Sequence, residues 1–203
     1  YLDRYTGGLG LSVQARTRFD VDGPLLPMIT MGGKCLNRNQ DQLFAIIDEM
    51  LHQIRFSDMD QLKRILVEFQ ALHESAVVQN GHRLAISLAN RFMTPSAHLN
   101  EIWHGVHQLK TIKALNREIA SNAAALDRTG DQLTQIAHSI FQRENMTIAL
   151  IADGAGLESA EPQAFDLLNR LPGNPAMAQH PPFVRPERPT VWEGWHTGTA
   201  VSF

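Results

Sequence analysis

The stretch HLNEIWH at residues 98–104 places two histidines and a glutamate close together. Histidine and glutamate are zinc ligands and general bases, and zinc peptidases of the H-x-x-E-H type carry both imidazoles and the glutamate on one helix. Here His104 follows Glu101 by three residues, where that motif requires one. On a helical wheel His98 and His104 lie about 600° apart, or about 120° from a common face. The catalytic zinc motif is therefore absent from this chain.

A looser pattern joins Glu101, His104 and His107, which are spaced three residues apart and can share one edge of a helix. No other ligand is in view, so this spacing is more typical of a partly solvated polar edge beside Trp103 than of a metal site. On the long helix described below, His73 and His82 are nine residues apart and face opposite sides. No catalytic, cofactor-binding or metal-binding residue is predicted in the chain.

Other motifs that bind phosphate or activate a nucleophile are incomplete. The string GGKC at residues 32–35 has Met28 where a phosphate-binding loop needs glycine, and Cys35 where it needs serine or threonine. The GLG at residues 8–10 has Val13 in place of the third glycine of a dinucleotide fingerprint. Ser12 lacks the closing glycine of a nucleophile elbow, so no serine hydrolase is indicated.

Composition excludes further classes. The 203 residues are 43% apolar, as in a soluble globular protein, and the net charge of -3 gives no attraction to nucleic acid or to an anionic membrane. No apolar run is long enough to span a bilayer. Cys35 is the single cysteine, which excludes an internal disulfide and fits a reducing compartment such as a bacterial cytoplasm or an organellar matrix.

The elements that position these residues centre on one long helix predicted over residues 57–92, where apolar positions recur at helical spacing. Ser57 is the predicted N-cap, and Thr94-Pro95 ends the helix. Gly81 interrupts good helix formers, which predicts that another element packs against the backbone there, with a kink as the alternative.

Shorter elements flank this helix. Alternating apolar residues predict an antiparallel hairpin from residues 9–17 and 25–35, followed by a helix over residues 41–54. A third helix is predicted from Thr94 and Pro95 to Leu109, and a fourth ends at residues 143–145, with Gly130 as a candidate break. Residues 146–152 predict a buried strand, and residues 162–171 a short helix near Pro162. Together these predict an α+β fold, a small and mostly antiparallel sheet covered by several helices.

The predicted domain organisation has three parts. Residues 1–171 form the helix-covered body, and residues 172–190 form a proline-rich linker. Residues 191–203 are the first strand of a following, truncated domain, and an unpaired strand of this kind predicts self-association. Because the sequence starts at Tyr1 and stops within a predicted strand, it is interpreted as a piece of a longer polypeptide.

Three ordered motifs carry a family resemblance: FSD at residues 56–58, NGHRLA at residues 80–85, and HLNE at residues 98–101 followed by Gly105. In these the chain resembles the associated region of the pitrilysin/insulinase-type zinc metallopeptidases, or inverzincins, in the presequence-protease branch. The resemblance implies the C-terminal, non-catalytic half of a peptidase that degrades unstructured peptides in a closed chamber. It implies zinc in the parent enzyme, bound outside this chain, with the N-terminal catalytic half and peptide substrates as partners.

A function from another class remains open, namely a stand-alone helical module that binds a partner protein and has no enzymatic role. The two hypotheses differ in what the parent gene encodes. An upstream H-x-x-E-H motif favours the peptidase, and a short reading frame without that motif favours the interaction module.

Overall fold

A computed structural model of the chain describes residues 2–16 and 25–174, which fall into two compact units. The first unit contains residues 2–12, 29–62 and 124–174, and the second contains residues 13–16, 25–28 and 63–123. Each unit is described by itself. In chain order the elements are α1 (Leu2–Tyr5), β1 (Leu9–Arg16), β2 (Leu26–Gly33), α2 (Gln40–His52), α3 (Met59–Asn90), α4 (Pro95–His104), α5 (Val106–Ser121), α6 (Ala124–Ile140) and α7 (Gly154–Arg170), with short 3-10 turns at Asn37–Asn39 and Arg143–Asn145.

The predicted hairpin is confirmed, because β1 and β2 pair as a two-stranded antiparallel sheet. The backbone N–H of Gly7 donates to the carbonyl oxygen of Lys34 at 2.8 Å, which extends the pairing beyond β1. Gly8 has a φ of 115°, a value that side chains disfavour and glycine accepts. The glycine pair therefore provides the bend through which the chain enters the sheet, and the α+β class predicted from the sequence is correct.

The core of the first unit lies between α2 and α7. Leu51 of α2 and Leu167 of α7 are buried together with Leu171, which follows α7 directly. Burying side chains of this size contributes about 1.5 to 3 kcal/mol each. Half-buried apolar residues surround the three leucines: Met31, Phe44, Ile47, Phe141, Met146, Ile148 and Leu168.

Helix α3 is long, as predicted, but its start and its middle differ from the prediction. Asp58 caps the helix, accepting a hydrogen bond from the Gln61 N–H at 2.9 Å, so the predicted cap at Ser57 is off by one residue. Asn80 has non-helical angles, φ -122° and ψ 25°, so the helix is kinked there. A Cβ added at Gly81 would meet nothing within 4 Å. The neighbour predicted at Gly81 is therefore wrong, and the kink is correct.

In the second unit polar contacts hold α5 against α3. The Asn116 side chain donates to the Leu66 carbonyl oxygen at 3.1 Å and to the Gln70 side chain at 2.8 Å. Lys113 pairs with Glu74 at 2.8 Å, which also lowers the pKa of that carboxyl group. Glu74 of α3 therefore has its charged partner on the neighbouring helix α5.

Helix α6 is continuous, so the break predicted at Gly130 is absent. A Cβ at Gly130 would lie 2.8 Å from the Phe56 carbonyl oxygen and 3.1 Å from the Met59 side chain. Both distances are shorter than ordinary van der Waals contact. Within the first unit, the segment that contains Phe56 and Met59 therefore packs closely against α6 at Gly130.

The strand predicted at residues 146–152 is wrong, since the described residues contain no strand besides β1 and β2. The segment is irregular, although its side chains keep the alternation of a strand. Ile148 is half-buried, and Ile151 is 99% exposed. The physical reason for the difference is that a strand needs a neighbour for its peptide groups, and none pairs with this segment among the described residues.

Helix α7 begins eight residues earlier than predicted. The Asp153 carboxylate accepts a hydrogen bond from the Gly156 N–H at 2.7 Å, which makes Asp153 the N-cap. Pro162 lies inside the helix and does not begin it. The linker at residues 172–190 and the strand at residues 191–203 fall almost wholly outside the described residues and remain predictions. Within the described ranges, no helix combines the length and hydrophobicity needed to cross a membrane.

Candidate functional site

The third predicted helix is in fact two, and the junction between them is the most enclosed polar site that the structure describes. Thr94 caps α4 as predicted, because its hydroxyl accepts a hydrogen bond from the Ala97 N–H at 3.1 Å. Helix α4 ends at His104, and Gly105 is extended, with φ -100° and ψ -163°. Helix α5 then starts at Val106, so its unpaired N–H groups lie beside the last turn of α4.

Glu101 occupies this junction and is only 1% exposed. Its Oε1 accepts hydrogen bonds from the backbone N–H of Val106 at 2.9 Å and of His107 at 3.3 Å. The Nδ1 of His107 lies 3.1 Å from the same oxygen and donates to it when protonated. A carboxylate at a helix N-terminus satisfies unpaired donors and interacts favourably with the helix dipole. Glu101 therefore caps the helix that follows its own.

Gly105 is the residue that admits this carboxylate. A Cβ at position 105 would overlap the Glu101 carboxyl group, which fills the space beside the glycine backbone. The second oxygen, Oε2, is buried and has no hydrogen-bond partner among the described residues. The junction therefore depends on a pair, a glutamate in the last turn of α4 and a glycine four residues later.

Cationic and aromatic groups accompany His98, in the first half of α4. Arg91 is 7% exposed, donates to the Leu88 carbonyl oxygen at 2.7 Å, and holds its guanidinium 4.4 Å from the Phe92 ring centre. The Phe92 and His98 rings lie 6.5 Å apart. Burial lowers the pKa of His98, and the positive charges of His107 and Arg91 lower it further. The His98 imidazole is therefore neutral near pH 7 and packs as an uncharged ring.

The predicted shared edge of Glu101, His104 and His107 forms only in part. Glu101 contacts His107, whereas the Nε2 of His104 lies 3.2 Å from the Val13 carbonyl oxygen and serves to hold α4 to β1. The expectation of a partly solvated polar edge is wrong for Glu101, which is buried. Among the described residues no group of three or more histidine, cysteine, aspartate or glutamate side chains is placed to hold a metal ion.

The other residues considered from the sequence have surroundings of their own. His73 donates a hydrogen bond from Nδ1 to the Phe69 carbonyl oxygen at 2.9 Å, and the centre of its ring lies 4.0 Å from that of the Phe69 ring. His82, on the same helix, is exposed. Burial raises the pKa of the Cys35 thiol, which disfavours the reactive thiolate.

Sequence reasoning missed the role of Glu101 because a helical wheel assumes that the helix continues. With α4 ended at His104, the position of Glu101 is set by the N-terminus of α5 and not by the wheel. A signal was present in the sequence. A glutamate followed four residues later by a glycine inside a helical pattern is consistent with a helix end whose neighbour needs a cap.

Comparisons with known proteins identify the family of the chain. Residues 1–115 match the sequence model of a family whose description is the associated region of metallopeptidase subfamily 16C. A presequence protease 1 of Arabidopsis thaliana, named chloroplastic/mitochondrial, is 22% identical over 175 residues, which is 86% of this chain and 16% of the relative. A mitochondrial presequence protease of Danio rerio is 28% identical over 93% of this chain and 17% of its own length.

A mitochondrial presequence protease of Yarrowia lipolytica is 28% identical over 144 residues, or 68% of this chain and 14% of the relative. The chain thus spans about a sixth of the length of these curated relatives. The matched residues 1–115 include the Glu101–Gly105 pair and the kinked helix α3. The family match covers more than half of the chain, and the chain therefore belongs to the peptidase-associated family of metallopeptidase subfamily 16C, in the presequence-protease branch of the pitrilysin-type peptidases.

Proposed function

We propose that this chain is a non-catalytic part of a zinc metallopeptidase that degrades unstructured peptides, and that it supplies scaffold and chamber wall. The observation that carries the proposal is the family match over residues 1–115 together with relatives named presequence protease. From that match we infer that the parent polypeptide is a peptidase. The chamber, the peptide substrates and the catalytic half as partner are inferences from the resemblance.

The chemistry of the described residues supports a structural role. Glu101 is the most buried acidic side chain among them. Its Oε1 accepts hydrogen bonds from two backbone N–H groups and contacts the His107 ring. A general base needs a free lone pair within reach of substrate, and a buried cap does not offer one. We therefore place zinc and its activated water in a different part of the parent polypeptide.

A reconstitution experiment tests the proposal. The polypeptide encoded upstream of this chain is co-expressed with it, and zinc-dependent cleavage of an unstructured fluorogenic peptide is measured for each part alone and for the pair. We expect the chain alone to be inactive and the pair to be more active than the upstream part alone. An upstream sequence without H-x-x-E-H, or a pair no more active than its parts, contradicts the proposal and favours the stand-alone interaction module.

The compartment stays a prediction. The relatives above are named for mitochondria or chloroplasts, which is a property of those proteins. For this chain the single cysteine favours a reducing compartment, either the bacterial cytoplasm or an organellar matrix. Fractionation of the source cells, with antibody against the chain, distinguishes the two.

A further inference from the structure

The sequence contains a single asparagine–glycine pair, Asn80–Gly81, and this pair lies at the kink of α3. In such a pair the backbone nitrogen of the glycine readily attacks the side chain of the preceding asparagine, because glycine has no Cβ to hinder the approach. An unbroken helix suppresses the attack, since its backbone angles and hydrogen bonds hold that nitrogen in place. The reactivity of Asn80 therefore depends on the local backbone.

The backbone at Asn80 is not helical. Its φ is -122° and its ψ is 25°, whereas an α-helix has about -63° and -42°. At a kink the regular hydrogen-bonding pattern of a helix is already disturbed, so further opening costs less free energy there than in a regular turn. Asn80 can therefore move away from its helical neighbours more readily than an asparagine inside a continuous helix.

The surroundings of the pair are open. Gly81, His82 and Arg83 are exposed and Asn80 is half-buried, so water reaches the pair. A Cβ built on Gly81 would meet nothing within 4 Å, so space for a new ring is present beside the glycine. Both the backbone and the solvent access thus favour a reaction between Asn80 and Gly81.

We propose that Asn80 is a site of spontaneous deamidation, with water as the co-reactant. The Gly81 backbone nitrogen attacks Cγ of Asn80, the new N–Cγ bond closes a succinimide ring, and the Cγ–Nδ2 bond breaks. The proton of the Gly81 N–H passes through solvent to the leaving nitrogen, which departs as ammonia. Water then opens the ring at either carbonyl and leaves aspartate or isoaspartate at position 80, with no change of oxidation state.

The product differs from the parent chain in charge and in backbone length. Either product carries a new carboxylate at the kink, and the isoaspartate form also has an additional methylene group in its main chain. The modification therefore acts on the one position of α3 where the helix is already interrupted. This inference concerns the chain by itself and does not depend on the proposed function.

Ageing of the purified chain at neutral pH, followed by peptide mass mapping, measures deamidation at every asparagine. We expect Asn80 to react at least roughly tenfold faster than any other asparagine of the chain, and Gly81→Ala to slow the reaction by about tenfold or more. Enzymatic methylation of isoaspartyl carboxylates identifies the isoaspartate form. An Asn80 that reacts no faster than the other asparagines, or at the same rate in Gly81→Ala, overturns the proposal.

Two controls separate the kink from the sequence of the pair. Arg117→Gly gives Asn116 a following glycine within the continuous helix α5, where the Asn116 side chain is also hydrogen-bonded. A synthetic peptide of residues 76–86 supplies the rate of the unfolded sequence. We expect Asn116 in that variant to react at least about tenfold more slowly than Asn80, and Asn80 in the folded chain to react within about tenfold of the peptide.

The proposal is overturned if Asn116 in the Arg117→Gly variant reacts as fast as Asn80, because the kink would then have no effect. It is equally overturned if Asn80 in the folded chain is slower than the peptide by more than the stated factor, because α3 would then protect it. Circular dichroism establishes that each variant is folded. If Arg117→Gly does not fold, the ratio of the rates in chain and peptide decides alone.

Discussion

Gly81 and Gly130 both stand inside helices among good helix formers, yet their surroundings are opposite. Beside Gly81 a Cβ would find open space, and the helix is kinked at the preceding residue, Asn80. Beside Gly130 a Cβ would lie 2.8 Å from the Phe56 carbonyl oxygen, and the helix is unbroken. The sequence-based expectation assigned the neighbour to Gly81 and the break to Gly130, the reverse of what the structure has.

The comparison teaches that a glycine in a helical pattern signals a local event without saying which kind. Glycine costs about 1 kcal/mol relative to alanine in a helix, and that cost is offset either by a close neighbour or by a bend. The choice depends on a segment distant in sequence, as Phe56 is from Gly130. Gly105 is a third case, in which the neighbour is the carboxylate of Glu101 and the helix ends as well.

Substitution at Gly105 should have the largest effect of the three glycines. Gly105→Ala forces the Glu101 carboxylate out of its place, so overpacking adds to the loss of charged hydrogen bonds, and the free energy of unfolding should fall by roughly 3 kcal/mol. Urea titration followed by circular dichroism measures it. In a Glu101→Ala background the same change should cost much less, because the overlapping group is gone. Equal costs in both backgrounds would mean that the two residues are not coupled.

Gly130→Ala comes second. The added methyl group meets a backbone carbonyl, which cannot rotate away as a side chain can, so the free energy of unfolding should fall by about 1 to 3 kcal/mol despite the better helix propensity of alanine. The same urea titration measures it. Thr134→Ala is a nearby control on α6 that removes a hydroxyl group donating to the Gly130 carbonyl oxygen and introduces no overlap. If the Gly130→Ala variant is as stable as the parent, α6 and Phe56 can move apart without loss of folding free energy, and the prediction is wrong.

Gly81→Ala should have the opposite sign. Nothing lies within 4 Å of the added Cβ, so the main effect is the lower backbone conformational entropy of the unfolded chain. The free energy of unfolding should therefore rise by up to about 1 kcal/mol. A thermal melt beside that of Gly130→Ala measures the contrast directly. If Gly81→Ala destabilises the protein as much as Gly130→Ala does, the distinction between open and enclosed glycines fails.

The smallest expected effect extends the contrast to two histidines. The pKa of His98 is lowered by burial, so the unfolded state binds its proton more readily, and stability from this group is present at neutral pH and lost as pH falls below about 6.5. His98→Asn should flatten the dependence of the unfolding midpoint on pH between neutral and mildly acidic conditions. His82→Asn, at an exposed histidine, should leave that dependence unchanged. Identical profiles for both variants would contradict the enclosed environment of His98.

Periodicity and capping chemistry predicted the hairpin, the long helix, the Thr94 cap and the α+β class. These depend on residues close in sequence, which is why a single sequence suffices for them. The burial of Glu101 was missed because its partners, the Val106 and His107 N–H groups, become donors only after α4 ends. The strand predicted over residues 146–152 failed for a related reason, since the apolar alternation is present while no neighbouring strand lies beside it among the described residues.

We propose that the described residues supply architecture and that zinc chemistry belongs to a different part of the parent enzyme. The most direct test is to titrate the purified chain with zinc by calorimetry and to assay it for cleavage of an unstructured peptide, beside the variants Glu101→Gln and His104→Ala. The account predicts no tight zinc binding and no peptide cleavage by any of the three proteins. Zinc-dependent cleavage by the unmodified chain that is lost in either variant would contradict it.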